Sequence, residues 1–173
     1  MIKWLLAGIA VSGIYTTIVI NNHFVQKEKA FTMAKSLVKD KGIINLGAGP
    51  YRTSFAQKVA YAPETAVNVD IIKCNLADTT PCNMPNYIQL DLEQMPWPFN
   101  DKAFDVSFSS HSLEHIQNWE IAFNEMRRIA DWTVIVLPNP LSLGGQLNPD
   151  HKQHFSFKDI ELLRGYDNVL VYA

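Results

Sequence analysis

Two glycines one residue apart, closing a short apolar run, and a carboxylate closing the next run constrain this chain more than any other feature. The first run is Ile43-Ile44-Asn45-Leu46-Gly47-Ala48-Gly49-Pro50, and about twenty residues later comes Ala66-Val67-Asn68-Val69-Asp70. Glycines at the carboxyl end of a first strand let the backbone approach a nucleotide-like ligand. An acid ending the second strand accepts hydrogen bonds from ribose hydroxyls. A Gly-x-Gly pair recurs by chance, so the rest of the pattern has to decide. A nicotinamide dinucleotide fingerprint would need glycine at position 52, where Arg52 stands.

Five β-rich apolar runs follow one another at about 43–47, 66–71, 86–91, 104–109 and 133–138. Continuous runs of this kind suit parallel strands buried on both faces. Phe24 to Asp40 reads as an amphipathic helix stopped by Gly42. Arg52 to Tyr61 reads as a short helix, and 72–85 as an irregular loop. Ile116 to Asp131 reads as a longer helix with Trp119, Ala122, Phe123, Met126, Ile129 and Ala130 on one face. A last helix near Phe157 to Arg164 leads to a sixth strand at Asn168 to Tyr172. The expected architecture is α/β, with a mostly parallel sheet and right-handed crossovers.

The amino terminus is different in kind. Trp4 to Ile20 are 17 residues without a charge, roughly 26 Å of helix against a hydrocarbon core of about 30 Å. A cleaved signal peptide would need a small-x-small site that TTIVINNHF lacks, and a buried core helix would show a polar face. The expected division is a transmembrane anchor at 1–23 and one domain at 24–173. Lys27, Lys29 and Lys35 follow the span and only Lys3 precedes it, which places the domain on the cytoplasmic side. Gly8 and Gly13 allow close helix approach, so a partner helix in a membrane complex or a homo-oligomer is expected.

A net charge of −2 with 18% charged residues leaves no footprint for nucleic acid. Cys74 and Cys82 have no metal or disulfide spacing.

With the strands placed, the chain resembles the class I S-adenosylmethionine-dependent methyltransferases, in their short, compact form. The resemblance runs over NLGAGPYR, VNVDI, QLDLEQMPWPFNDKAFDVSFSSHSLEHI, VIVLPNP and NPDHKQHFSFKDI. It implies a Rossmann-like, abbreviated class I methyltransferase fold and S-adenosyl-L-methionine as cofactor. By the same resemblance Gly47 and Gly49 pack on the methionine part, with Asn45 where an acid is common. Asp70 and Ile71 take the ribose, Asp91 and Leu92 the adenine, and Ser109 closes the methionine end beside Ser110 and His111. The implied activity is methyl transfer to a small-molecule or glycan acceptor; the alternative is a non-catalytic methyltransferase-like subunit of a membrane complex.

His111-Ser-Leu-Glu114-His115 spells H-x-x-E-H, a zinc peptidase pattern. That pattern needs both histidines on one helix, whereas His111 directly follows a strand, so no metal is expected. His151, in the loop after the fifth strand, and then His111 are the candidate catalytic bases for an acceptor hydroxyl. The bland alternative is that these histidines tie the loop down by hydrogen bonds.

Overall fold

The computed structural model describes residues 24–49, 66–71 and 86–173. Its centre is one sheet of β1 (Ile43–Leu46), β2 (Ala66–Asp70), β3 (Tyr87–Gln89), β4 (Phe104–Ser110), β5 (Ala130–Val136) and β6 (Val169–Tyr172). The strand order is β3-β2-β1-β4-β5-β6, and every neighbouring pair is parallel. This is the doubly wound order, and its direction of winding reverses between β1 and β4. Ligands of such sheets bind outside the carboxyl ends of the strands at that reversal.

Both faces are covered, as the continuous apolar runs require. On one face lies α1, helical over 24–36, with Ala30 and Ala34 fully buried against Ile43, Val106, Phe108, Val134 and Val136. Alanine at those two positions lets the helix sit close to the sheet, and Phe31 meets Phe108 edge-on at 6.0 Å. On the other face, α2 (Trp119–Ile129) buries Ala122, Phe123, Met126 and Ile129, a helical stripe read correctly from the sequence. Beside it α4 (Phe157–Arg164) buries Ile160 and Leu163. A capping box between Ser156 and Asp159 opens α4, a device worth about 0.5–2 kcal/mol.

The boundaries of α2 differ from the expected 116–131. Leu113–His115 form a 3₁₀ turn, so the helix starts at Trp119. Ala130 already has extended geometry (φ −134°, ψ 156°) and pairs with Phe104, so it begins β5. Lys102 terminates the helix from outside: its Nζ donates to the carbonyls of Arg127 at 2.8 Å and Ala130 at 2.6 Å. A five-residue helix, α3 (Leu143–Leu147), was not expected either. It carries Gly144 and Gly145 and no buried residue, so it has no periodic signature; the Ser142 side chain caps it.

The expected anchor at 1–23, the helix at 52–61 and the loop at 72–85 lie outside the described residues. Among the described residues no helix is long and apolar enough to cross a membrane.

Candidate active site

A cleft of about 370 Å³ opens at the carboxyl ends of β1, β2 and β4, with Gly47, Gly49, Asp70, Ile71, Asp91, Leu92, His111 and Ser112 among its walls. Both glycines have left-handed backbone, φ +72° at Gly47 and +69° at Gly49, a region that side chains disfavour. At Gly47 a Cβ would also fall 2.0 Å from Ser112 Oγ; at Gly49 it would enter open space. The loop is held to its neighbours by the Gly47 and Ala48 amides, which donate to the Val69 carbonyl at 2.9 and 3.0 Å. The Gly49 amide donates to Asp70 Oδ2 at 2.7 Å. Tyr87 donates its hydroxyl to the Asp70 carbonyl at 3.1 Å. Burial, helped by the Asp70 charge, pushes that phenol up to about 12, so it remains a donor at neutral pH.

Asp91 sits in an Asx-type turn, with Oδ1 accepting the Glu93 amide at 2.9 Å. Glu93 in turn accepts from the Gln117 amide at 2.8 Å and from Lys152 Nζ at 2.7 Å. Those donations, the amide first, hold its carboxyl below the ordinary range. The Glu93–Lys152 bridge joins the post-β3 loop to the post-α3 loop beside the cleft.

A second cavity of about 460 Å³ adjoins the first, with Phe24, Gln26, Leu137, Asn139, Ser142, Asn148 and His151 among its walls. His111 lines both cavities. It has φ +55° at the end of β4, and its amide donates to the Val136 carbonyl at 2.9 Å. Its Nδ1 lies 3.2 Å from Oε1 of Glu114, a carboxylate 1% exposed. Burial lowers the imidazole pKa and Glu114 opposes that.

The family described as "Methyltransferase domain" matches residues 44–131, just over half of the chain. The chain belongs to the class I S-adenosylmethionine-dependent methyltransferases. Solved structures agree on the fold. A candidate methyltransferase from Bacillus halodurans is 17% identical over 80% of this chain and 66% of its own, with a TM-score of 0.55. An S-adenosylmethionine-dependent methyltransferase from Thermotoga maritima is 16% identical over 95% and 71%, with a TM-score of 0.52. The [4+2]-cyclase SpnF is 17% identical over 79% and 54%, with a TM-score of 0.53. The chain spans only 50% and 53% of the first two solved structures it matches. No curated protein matches it.

The residues that line this cleft fit S-adenosylmethionine, the cofactor of the family. The backbone at Gly49 faces open space, and carboxylates stand at the ends of β2 and beyond β3. The cleft brings together six expected residues: Gly47, Gly49, Asp70, Ile71, Asp91 and Leu92. Two others are not in its walls. Asn45 is 5% exposed and donates through Nδ2 to Asn68 Oδ1 at 3.0 Å, across paired positions of β1 and β2. Ser109 is 1% exposed inside β4. Of the expected bases, His151 lines the second cavity alone, with Nδ1 2.8 Å from the Gly145 carbonyl. Ser112, His115 and Lys152 also line this cleft, where the sequence had not placed them. Ser112 and His115 both lie inside the H-x-x-E-H run, which was read for metal ligation and not for the cleft.

Proposed function

We propose that the chain transfers a methyl group from S-adenosylmethionine to an oxygen of a small or glycan-like acceptor. The observation that carries this reading is two adjoining cavities with His111 in the wall of both. Gly47 and Gly49 would take the methionine part, Asp70 and Ile71 the ribose, and Asp91 with Leu92 the adenine. Bound there, S-adenosylmethionine supplies an electrophilic methyl on a sulfonium and is left as S-adenosylhomocysteine. Much of the acceleration in such a displacement comes from holding the reacting atoms in line. The chain's own chemical part is to remove the acceptor's proton. His111, in the wall of both cavities and with Glu114 3.2 Å from its Nδ1, is the first candidate for that base. His151 is the second candidate.

The apolar segment 4–20 supports a membrane anchor with the domain on the cytoplasmic side. Phe24, four residues past Ile20, is in the wall of the second cavity, which favours an acceptor met near the membrane surface. Gly8 and Gly13 support pairing with a partner helix or a second copy. One observation favours the rival reading of a non-catalytic subunit: the first strand ends without an acid, and Asn45 is bonded into the core.

Calorimetry of the full chain in mild detergent tests the proposal. The expected result is saturable one-to-one binding of S-adenosylmethionine or S-adenosylhomocysteine; a folded sample that binds neither at millimolar cofactor removes it. Deletion of residues 1–22 tests the anchor: truncated protein that still pellets with membranes and resists alkaline extraction shows that the segment is not what holds it there.

A further inference from the structure

Glu114, His115 and His151 each offer one ligand atom, and these atoms all lie within 4.8 Å of one another. This is not the arrangement that H-x-x-E-H spells. His115 ends the 3₁₀ turn, and its partner histidine comes from the loop between α3 and α4, 36 positions along the chain. The two rings meet at 4.9 Å between centroids.

Both imidazoles are set for ligation. His115 Nδ1 lies 3.0 Å from the Asp150 carbonyl and His151 Nδ1 lies 2.8 Å from the Gly145 carbonyl. A carbonyl only accepts, so each Nδ1 carries the hydrogen and each Nε2 keeps its lone pair. Backbone carbonyls fix metal-bound histidines in this way. Glu114 supplies the charge. It is 1% exposed, and among the described residues neither of its carboxylate oxygens completes a hydrogen bond of good geometry. The groups acting on it are His111 Nδ1 at 3.2 Å and the charge of Lys27. Beyond the Lys27 charge, a buried carboxylate donated to so little has lone pairs to offer a cation.

We infer that Glu114, His115 and His151 form a site for a divalent transition metal at the boundary of the two cavities. Two imidazole nitrogens and one carboxylate oxygen suit zinc and its neighbours; magnesium and calcium prefer oxygen throughout. Bonds of about 2.0–2.1 Å hold tetrahedral ligands roughly 3.3 Å apart, so the trio must close by up to about 1.5 Å. Rotation of two half-buried imidazoles supplies a movement of that size. A carboxylate has two oxygens, so one can face His111 while the other ligates. Three protein ligands leave positions open, and an acceptor oxygen is the group within reach, a clause that rests on the proposed function.

The test uses the full chain in mild detergent, stripped with a chelator and titrated with Zn²⁺ by calorimetry and with Co²⁺ by visible spectroscopy. The inference expects one equivalent of metal and intense low-symmetry cobalt bands. His115→Ala and His151→Ala should each weaken binding by about 100-fold, the upper end of what losing even an outer-shell partner costs. His154→Ala, an exposed change in the same loop, should leave it unaltered. No stoichiometric binding, or binding retained by the His115→Ala/His151→Ala pair, overturns the site. If single variants fold poorly, octahedral rather than four-coordinate cobalt bands from the unaltered chain overturn it as well. Calorimetry with S-adenosylhomocysteine on the same samples separates this outcome from failure of the methyl-transfer reading.

Discussion

The amide of Gly49 donates to Oδ2 of Asp70 at 2.7 Å, locking the loop after β1 to the end of β2. One carboxylate thus organises the loop after β1 and stands in the wall of the cleft proposed for the cofactor. Asp70→Ala should weaken S-adenosylhomocysteine binding by about 1–3 kcal/mol, some 5- to 150-fold, as hydrogen bonds to a charged acceptor are lost. Asp70→Asn, which keeps one acceptor oxygen, should lose less. Calorimetry decides; equal affinity in all three proteins removes Asp70 from the ribose site.

Gly47 and Gly49 share a left-handed backbone but not their surroundings. Alanine at Gly49 meets open space and should cost only the conformational penalty, about 1–2 kcal/mol. Alanine at Gly47 would overlap Ser112 Cβ as well as Oγ, so rotating the hydroxyl gives no escape. A further 1–3 kcal/mol, roughly the cost of overpacking, is expected there. Urea unfolding of the two variants should rank Gly47→Ala clearly below Gly49→Ala; the reverse order would contradict the contact.

The strand-end glycines were legible because left-handed backbone restricts which residues serve there, and the strand-end acid Asp70 because it closes an apolar run. The sheet was legible for a similar reason: parallel strands buried on both faces leave β-rich, largely apolar runs such as Ile43–Leu46, although β4 (Phe104–Ser110) alternates apolar residues with Asp105, Ser107 and Ser109, which are buried as well. Junctions were less so. Nothing in Arg127-Arg128-Ile129-Ala130-Asp131 announces a direct change from helix to strand, because the helix is ended by Lys102 from another part of the chain. Likewise Asn45 was expected at the cofactor, but its side chain is bonded to Asn68 on the paired strand. The convergence of His151 on Glu114 and His115 depends on how the loop after α3 folds back, which local sequence does not encode.

Asp105 ties the end of α1 to the start of the sheet. Its Oδ2 accepts four consecutive amides, from Lys39, Asp40, Lys41 and Gly42, at 2.8–3.0 Å. Burial alone would raise its pKa, but the four donors outweigh burial and hold the carboxyl below its ordinary 3.8. With the folded pKa depressed, this contribution is complete above about 3.8 and is lost as pH falls through the folded value. Asp105→Ala should cost about 1–3 kcal/mol at pH 7, since one buried and three part-buried amides lose their acceptor. Denaturation from pH 7 down to pH 3 should show the unaltered chain losing stability faster than Asp105→Asn at the acid end.

Arg128 joins α2 to the segment that follows Asp91. It grips Glu125 with two nitrogens at 2.8 and 2.7 Å and donates to the carbonyls of Phe99 at 2.8 Å and Trp97 at 3.1 Å. A lysine ammonium is a single point and cannot span these acceptors. Arg128→Lys should therefore destabilise the fold by about 1–3 kcal/mol although the charge is kept. A thermal midpoint equal to that of the unaltered chain would show that charge alone suffices.

Among the described residues His111 is the one imidazole in the walls of both cavities, so its replacement separates binding from chemistry most cleanly. His111→Gln keeps the approximate volume and a polar end but cannot take up a proton at neutral pH. Incorporation of labelled methyl from S-adenosylmethionine into an extract of cells lacking the gene should fall by about 10²- to 10⁴-fold, the usual contribution of a positioned base. Affinity for S-adenosylhomocysteine should change only a few-fold, because the ring borders the cofactor cleft without being its main polar contact. His151→Gln provides the comparison. If His151 only tethers its loop through the Gly145 carbonyl, a glutamine amide can still donate there and incorporation should persist. If incorporation falls with His151→Gln and persists with His111→Gln, the base belongs to the loop after α3 and not to the end of β4.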